Sequence, residues 1–193
     1  MLRTLSAVAL AAMIGASAAI AQDVAVVPTQ TISAKTVKSV CRKLRKDDSF
    51  AEIRARLAKK KTDVFQFFKY GQCKQKLIGG GTYKVAGAYQ LLLFEPKDRV
   101  PTAVAVVDYL KTKENGLQLV HAITNQQDRH GRTILDLLDL LKAQEFAKDQ
   151  NQLAWLDRLR GHLCAHGALY TTPQEDCTMS EEVKQMMAEK KSS

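Results

Sequence analysis

Two stretches decide the fold: Asp128-Arg129-His130-Gly131-Arg132-Thr133-Ile134-Leu135-Asp136-Leu137 and, downstream, Leu156-Asp157-Arg158-Leu159-Arg160-Gly161-His162-Leu163-Cys164-Ala165-His166-Gly167-Ala168. The first opens on a polar turn. Gly131 suits a tight turn because it lacks a Cβ. Thr133 is placed to cap a helix through its hydroxyl. Leu135, Leu138 and Leu141 then recur at helical spacing. In the second stretch Leu156, Leu159 and Leu163 form another apolar stripe. Gly167 supplies the positive-φ residue that commonly ends a helix.

Working outward, the same periodicity recurs on both sides. Val37, Val40, Cys41 and Leu44 predict a helix from about Thr36, with Lys and Arg between them. Asp47, Asp48 and Ser49 form a break with an N-cap. A helix over about 49–60 follows, with Phe50, Ile53 and Leu57 on one face. Lys59, Lys60 and Lys61 crowd its C-terminal end, where exposed carbonyls favour cations. Asp63 precedes Val64-Phe65-Gln66-Phe67-Phe68, read as a helix packed into the core. Gly79-Gly80-Gly81 lacks the spacing to a Gly-Lys-Ser/Thr ending that a phosphate loop needs, so it reads as a flexible connector. The run from Ala86 to Phe94 fits helix or strand equally. Pro101 suits the first turn of a helix through about Tyr109. Leu117, Leu119, Val120 and Ile123 predict another short helix, and Met179–Lys191 an amphipathic tail helix.

The segment 128–169 resembles a terminal ankyrin repeat. Asp128, Gly131 and Thr133 are similar to that family's turn-and-helix opening, and His166-Gly167-Ala168 to its ending. The pattern departs between them: Leu141 to Ala154 is long and polar, implying a lengthened first helix, an inserted loop, or both. Ile134 and Asp136 also flank Leu135 where the family carries a proline–leucine–histidine triplet. Pro101–Leu110 and Leu117–Ile123 are candidates for the two helices of a preceding unit, and a weaker earlier unit starts at Gly81-Thr82. Solenoid units bury their apolar faces only against neighbours. The resemblance therefore implies an all-α fold, a short ankyrin-like solenoid with N-terminal capping helices. The chain divides into a signal peptide (1–21), a flexible segment (22–33), a basic helical cap (34–78), ankyrin-like repeats (79–171) and a tail helix (172–193).

The leader reading rests on Arg3, an Ala-rich apolar core and the ending Ala19-Ile20-Ala21. Cleavage there leaves 172 of the 193 residues, one ordinary domain. Its four cysteines, Cys41, Cys73, Cys164 and Cys177, favour disulfides in an exported chain. Three pairings are open, of which local pairing (Cys41–Cys73 and Cys164–Cys177) is the simplest. The charge is uneven. Residues 22–76 carry 14 Lys/Arg against 5 Asp/Glu, and residues 77–193 carry 14 against 15. The basic character belongs to the N-terminal part, where it serves either as a solvated face or as a surface for an acidic protein or anionic lipid.

Enzymatic signals are sparse. No GxSxG elbow or HExxH motif occurs, and after Ser49 the serines are only Ser180, Ser192 and Ser193. Asp136 and Asp139 stand three apart but lie within the repeat-like helix, where structural hydrogen bonds are the simpler role. His162, Cys164 and His166 spell HxCxH. On a helix Cys164 points away from the two imidazoles, and no further ligand stands nearby in sequence, so no metal or other cofactor is expected. The expectation is a non-enzymatic, periplasmic or secreted bacterial protein-binding module. One version is an inhibitor or immunity-type protein. Its partner would be another protein, favoured to be acidic, and not nucleic acid. The competing readings are an envelope-associated structural protein on anionic surfaces and an enzyme of unknown class.

Overall fold

In the computed structural model, the described residues are 32–44, 49–76, 81–94, 96–143, 149–172 and 177–191. The expected signal peptide lies outside them, as do the flexible segment up to residue 31 and Gly79-Gly80. The described residues form eight α-helices, one 3-10 helix and one two-stranded hairpin, so the fold is mostly helical. No helix among them is long and apolar enough to cross a membrane.

The N-terminal helices are α1 (Ala34–Leu44), α2 (Phe50–Lys59) and α3 (Val64–Tyr70). Each start follows from its own sequence. The Ser33 hydroxyl accepts from the Thr36 N–H. Ser49 and Glu52 form a reciprocal capping box at α2. The Asp63 carboxylate accepts from the Gln66 N–H at α3. As expected, α3 packs into the core, with Val64, Phe67 and Phe68 buried.

Between residues 71 and 94 the structure corrects the sequence reading. β1 (Lys74–Lys76) pairs antiparallel with β2 (Thr82–Lys84), Gln75 opposite Tyr83. The weak repeat start expected at Gly81-Thr82 is therefore a strand. Its central Tyr83 is buried while Thr82 and Lys84 are exposed, an alternation of period two. The ambiguous apolar run becomes a 3-10 helix (Ala88–Leu93) with all six residues buried, so no amphipathic period existed to be read.

α4 (Pro96–Lys111) is the central helix. It packs on α7 (Gln150–Ala165), α5 (Gly116–Thr124), the 3-10 helix and α2. It begins five residues before Pro101, which therefore sits inside the helix rather than in its first turn. α6 (Ile134–Ala143) packs on α7 and the 3-10 helix. Residues 144–148, within the long polar segment after Leu141, lie outside the described residues. α6 is described as far as Ala143, and α7, with 16 residues, starts at an Asp149 N-cap. The core unites Leu135 and Leu138 of α6, Leu156, Leu159 and Leu163 of α7, and Val106, Val107 and Leu110 of α4.

The tail forms α8 (Glu181–Lys191) and folds back. Val183 is fully buried, and the Ser180 N–H donates to the Ala165 carbonyl. Gly167, at φ +85, leaves only 2.9 Å between the place of a Cβ and Val183 Cγ1. Gly167→Ala should therefore combine left-handed strain with a clash, costing about 1–3 kcal/mol. Urea unfolding measures the loss, and limited proteolysis should show α8 released first. An unchanged urea midpoint would show that α8 does not need this close approach.

Candidate functional site

Asp128 organises the turn that the sequence singled out. Its backbone N–H donates to the Arg132 carbonyl, and the Gly131 N–H donates back to the Asp128 carbonyl. Gly131 has φ +76. The carboxylate accepts five hydrogen bonds. Oδ1 takes the backbone N–H groups of His130 (2.7 Å) and Arg132 (3.0 Å). Oδ2 takes Arg132 Nε (2.9 Å) and Nη2 (2.8 Å) and the Tyr83 hydroxyl (2.5 Å). Burial alone would raise the Asp128 pKa, but the donors from Tyr83, Arg132 and His130 outweigh it and hold the group at about 2. Burial, reinforced by Asp128, pushes Tyr83 up to about 12.

Thr133 acts otherwise than expected. Its hydroxyl donates to the Leu169 carbonyl (2.7 Å), across 36 residues, and stands 3.0 Å from Asp136 Oδ2. The α6 start is instead closed by Asp136, which accepts from the Thr133 N–H at 2.7 Å. Thr171 adds its hydroxyl to Asp136 and lies 3.0 Å from the Gly131 carbonyl. Asn125 completes the network. Its amide donates to the Gly167 carbonyl and accepts from the Leu169 N–H. Asp128, Gly131, Thr133 and Gly167 thus belong to one hydrogen-bonded rim joining the end of α5, the turn before α6 and the segment after α7. Tyr83, Asn125 and Thr171 were not legible as members. Asp136 is engaged in this rim, as the structural reading of that residue expected.

A second feature is the basic face of α1 and α2. Lys35, Lys38 and Arg42 are exposed and spaced to share one face of α1. Arg54, Lys59, Lys60 and Lys61 are exposed on and after α2. A small polar cleft of about 170 Å³ opens beside them, lined by Ser33, Thr36, Lys60, Lys61, Thr62 and Gln66. Disulfide Cys41–Cys73 ties α1 to the residue before β1. Arg54 and Lys113 both approach the Tyr109 ring, which contacts Phe50. This anchors the face to α4 through cation–π contact.

The second disulfide, Cys164–Cys177, joins α7 to the tail. Both pairs are the local ones, and no cysteine is free. Two disulfides fit an oxidising compartment. As expected, this removes Cys164 from any ligand set with its two histidines.

The histidines nonetheless meet a carboxylate. Asp108 of α4 faces His162 of α7 and His166, which caps the C-terminal end of α7, and one ligand atom from each lies within 4.8 Å of the others. His166 Nδ1 contacts the His162 carbonyl at 2.8 Å, which assigns the proton to Nδ1. Its Nε2 faces Lys111 Nζ at 3.4 Å. His162 Nε2 is buried without a hydrogen-bond partner among the described residues. Burial, and then His166, keep the His162 pKa below its ordinary value. Asp108 and Lys111 stand on α4, 54 and 51 residues before His162, so no local spacing announced them.

Compared with known protein families, curated proteins and solved structures, the chain matches none.

Proposed function

We propose that this chain is a non-enzymatic binding module of an oxidising, periplasmic or secreted compartment, which engages an acidic protein through its basic N-terminal face. The observation that carries this reading is the row Lys35, Lys38 and Arg42, exposed along a helix that a disulfide holds in place. A preorganised row of cations loses little entropy on binding and steers an oppositely charged partner. The ankyrin-like reading of residues 128–169 is supported by the rim around Asp128, Gly131, Thr133 and Gly167 and by the paired helices α6 and α7. An inhibitor or immunity-type role is the concrete form that suits a small exported binder.

Affinity capture from an envelope extract at about 150 mM salt, where charges beyond about 8 Å are screened, tests the reading. The expected result is one stoichiometric acidic protein. Reversing Lys35, Lys38 and Arg42 to Glu should weaken its binding by about 10-fold or more, mainly through the on-rate. Equal binding by the charge-reversed chain, or retention of anionic vesicles alone, would overturn it.

A further inference from the structure

We propose that Asp108, His162 and His166 form a binding site for a divalent transition-metal ion of the zinc class, bridging α4 and α7. Two histidines four apart on a helix present both imidazoles to one side, the spacing by which helical zinc sites are built. The HxCxH reading lacked a third ligand of the right direction. Asp108 supplies it from the neighbouring helix. Two imidazoles and one carboxylate suit a borderline ion such as zinc, and exclude preference for calcium or magnesium, which take oxygen ligands.

Two observations converge. His162 Nε2 is buried and has no hydrogen-bond partner among the described residues, an expensive arrangement for a polar atom. His166 is oriented by its Nδ1 contact with the His162 carbonyl, which leaves Nε2 as the nitrogen that carries the lone pair. That is the outer hydrogen bond that fixes a metal-binding imidazole. The position in front of His166 Nε2 already carries a positive charge, the Lys111 ammonium at 3.4 Å. That ammonium competes with a metal ion for the same lone pair. A metal ion would displace the flexible Lys111 head into solvent and take both imidazoles.

The fit requires modest closure. The ligand atoms lie within 4.8 Å of one another, against about 3.3 Å between ligand atoms in a tetrahedral site with bonds of about 2.0 Å. Asp108 is exposed, so its side chain has room to turn toward the imidazoles. Three protein ligands leave a fourth position for water.

The test uses the mature, disulfide-intact chain without a histidine tag. It is titrated with zinc chloride by calorimetry and with cobalt(II) by visible absorption. The expected result is one ion per chain with micromolar or tighter affinity and the intense d–d bands of tetrahedral cobalt. Asp108→Asn and His166→Gln should each weaken binding by about 10-fold or more. His130→Gln, on the distant turn, should leave it unchanged, and Lys111→Met should tighten it. Asp108 is exposed, so its variant reports on binding even if a His162 variant fails to fold. No saturable binding below about 100 μM, or affinity that survives both Asp108→Asn and His166→Gln, would overturn the assignment.

Discussion

Replacing Asp128 with alanine should destabilise the protein by about 3–4 kcal/mol, the cost of leaving several hydrogen-bond donors without their buried acceptor. The residue is 7% exposed, and its carboxylate receives five donors. Alanine would leave the His130 and Arg132 N–H groups and the Tyr83 hydroxyl without their acceptor. It would also leave the Arg132 guanidinium without its carboxylate. Asp128→Asn should cost less, about 2–3 kcal/mol. The amide oxygen still serves the two backbone donors, while its NH₂ opposes the guanidinium.

The pH dependence has a definite sign. Asp128 falls from an ordinary 3.8 to about 2 on folding. Between those values the unfolded chain binds more protons than the folded one, so stability rises with pH. The contribution, about 2 kcal/mol, is complete above roughly pH 4–5 and disappears as pH falls through about 2. Urea midpoints measured from pH 7 to pH 2 check both statements. The gap between wild type and Asp128→Asn should narrow over the acid range. A gap that stays constant from pH 5 to pH 2 would mean that the carboxylate charge is not what holds the turn.

Removing the Cys41–Cys73 bridge as a double alanine variant should cost about 3.5 kcal/mol in the chain-entropy account. The bridge spans 32 residues and encloses α2 and α3 completely. Without it, α1 would depend on its packing against α2 and the 3-10 helix. Partial release of α1 should therefore appear before global unfolding, as faster hydrogen exchange confined to Ala34–Leu44. Because α1 carries Lys35, Lys38 and Arg42, affinity for the acidic partner should fall with it. A variant that keeps wild-type exchange in α1 and wild-type stability would show that apolar packing of Val40 and Leu44 suffices.

The zinc-class site and the protein-binding reading stand on separate elements and separate residues. Loss of metal binding would leave the basic face of α1 untouched. Failure of partner capture would equally leave Asp108, His162 and His166 where α4 and α7 place them.

The sequence by itself determined the features whose causes lie within a few residues. Ser49 and Asp63 cap the helices they precede because a short polar side chain reaches the next turn's N–H groups. Gly131 and Gly167 take positive φ where a side chain would be strained. The helices around Leu135 and Leu159 follow from apolar spacing, and local pairing of the cysteines was the simplest reading of their positions. Only the tertiary structure decided what meets across the chain. Tyr83 reaches Asp128 over 45 residues, and the Thr133 hydroxyl reaches the Leu169 carbonyl over 36. The fully buried run Ala88–Leu93 had no exposed face whose period could reveal its 3-10 form. Asp108 joins His162 and His166 only because α4 and α7 pack together. Caps and periodicity are local energies that a short window contains. Which distant polar groups converge depends on how the buried faces of whole helices fit, and no single segment encodes that.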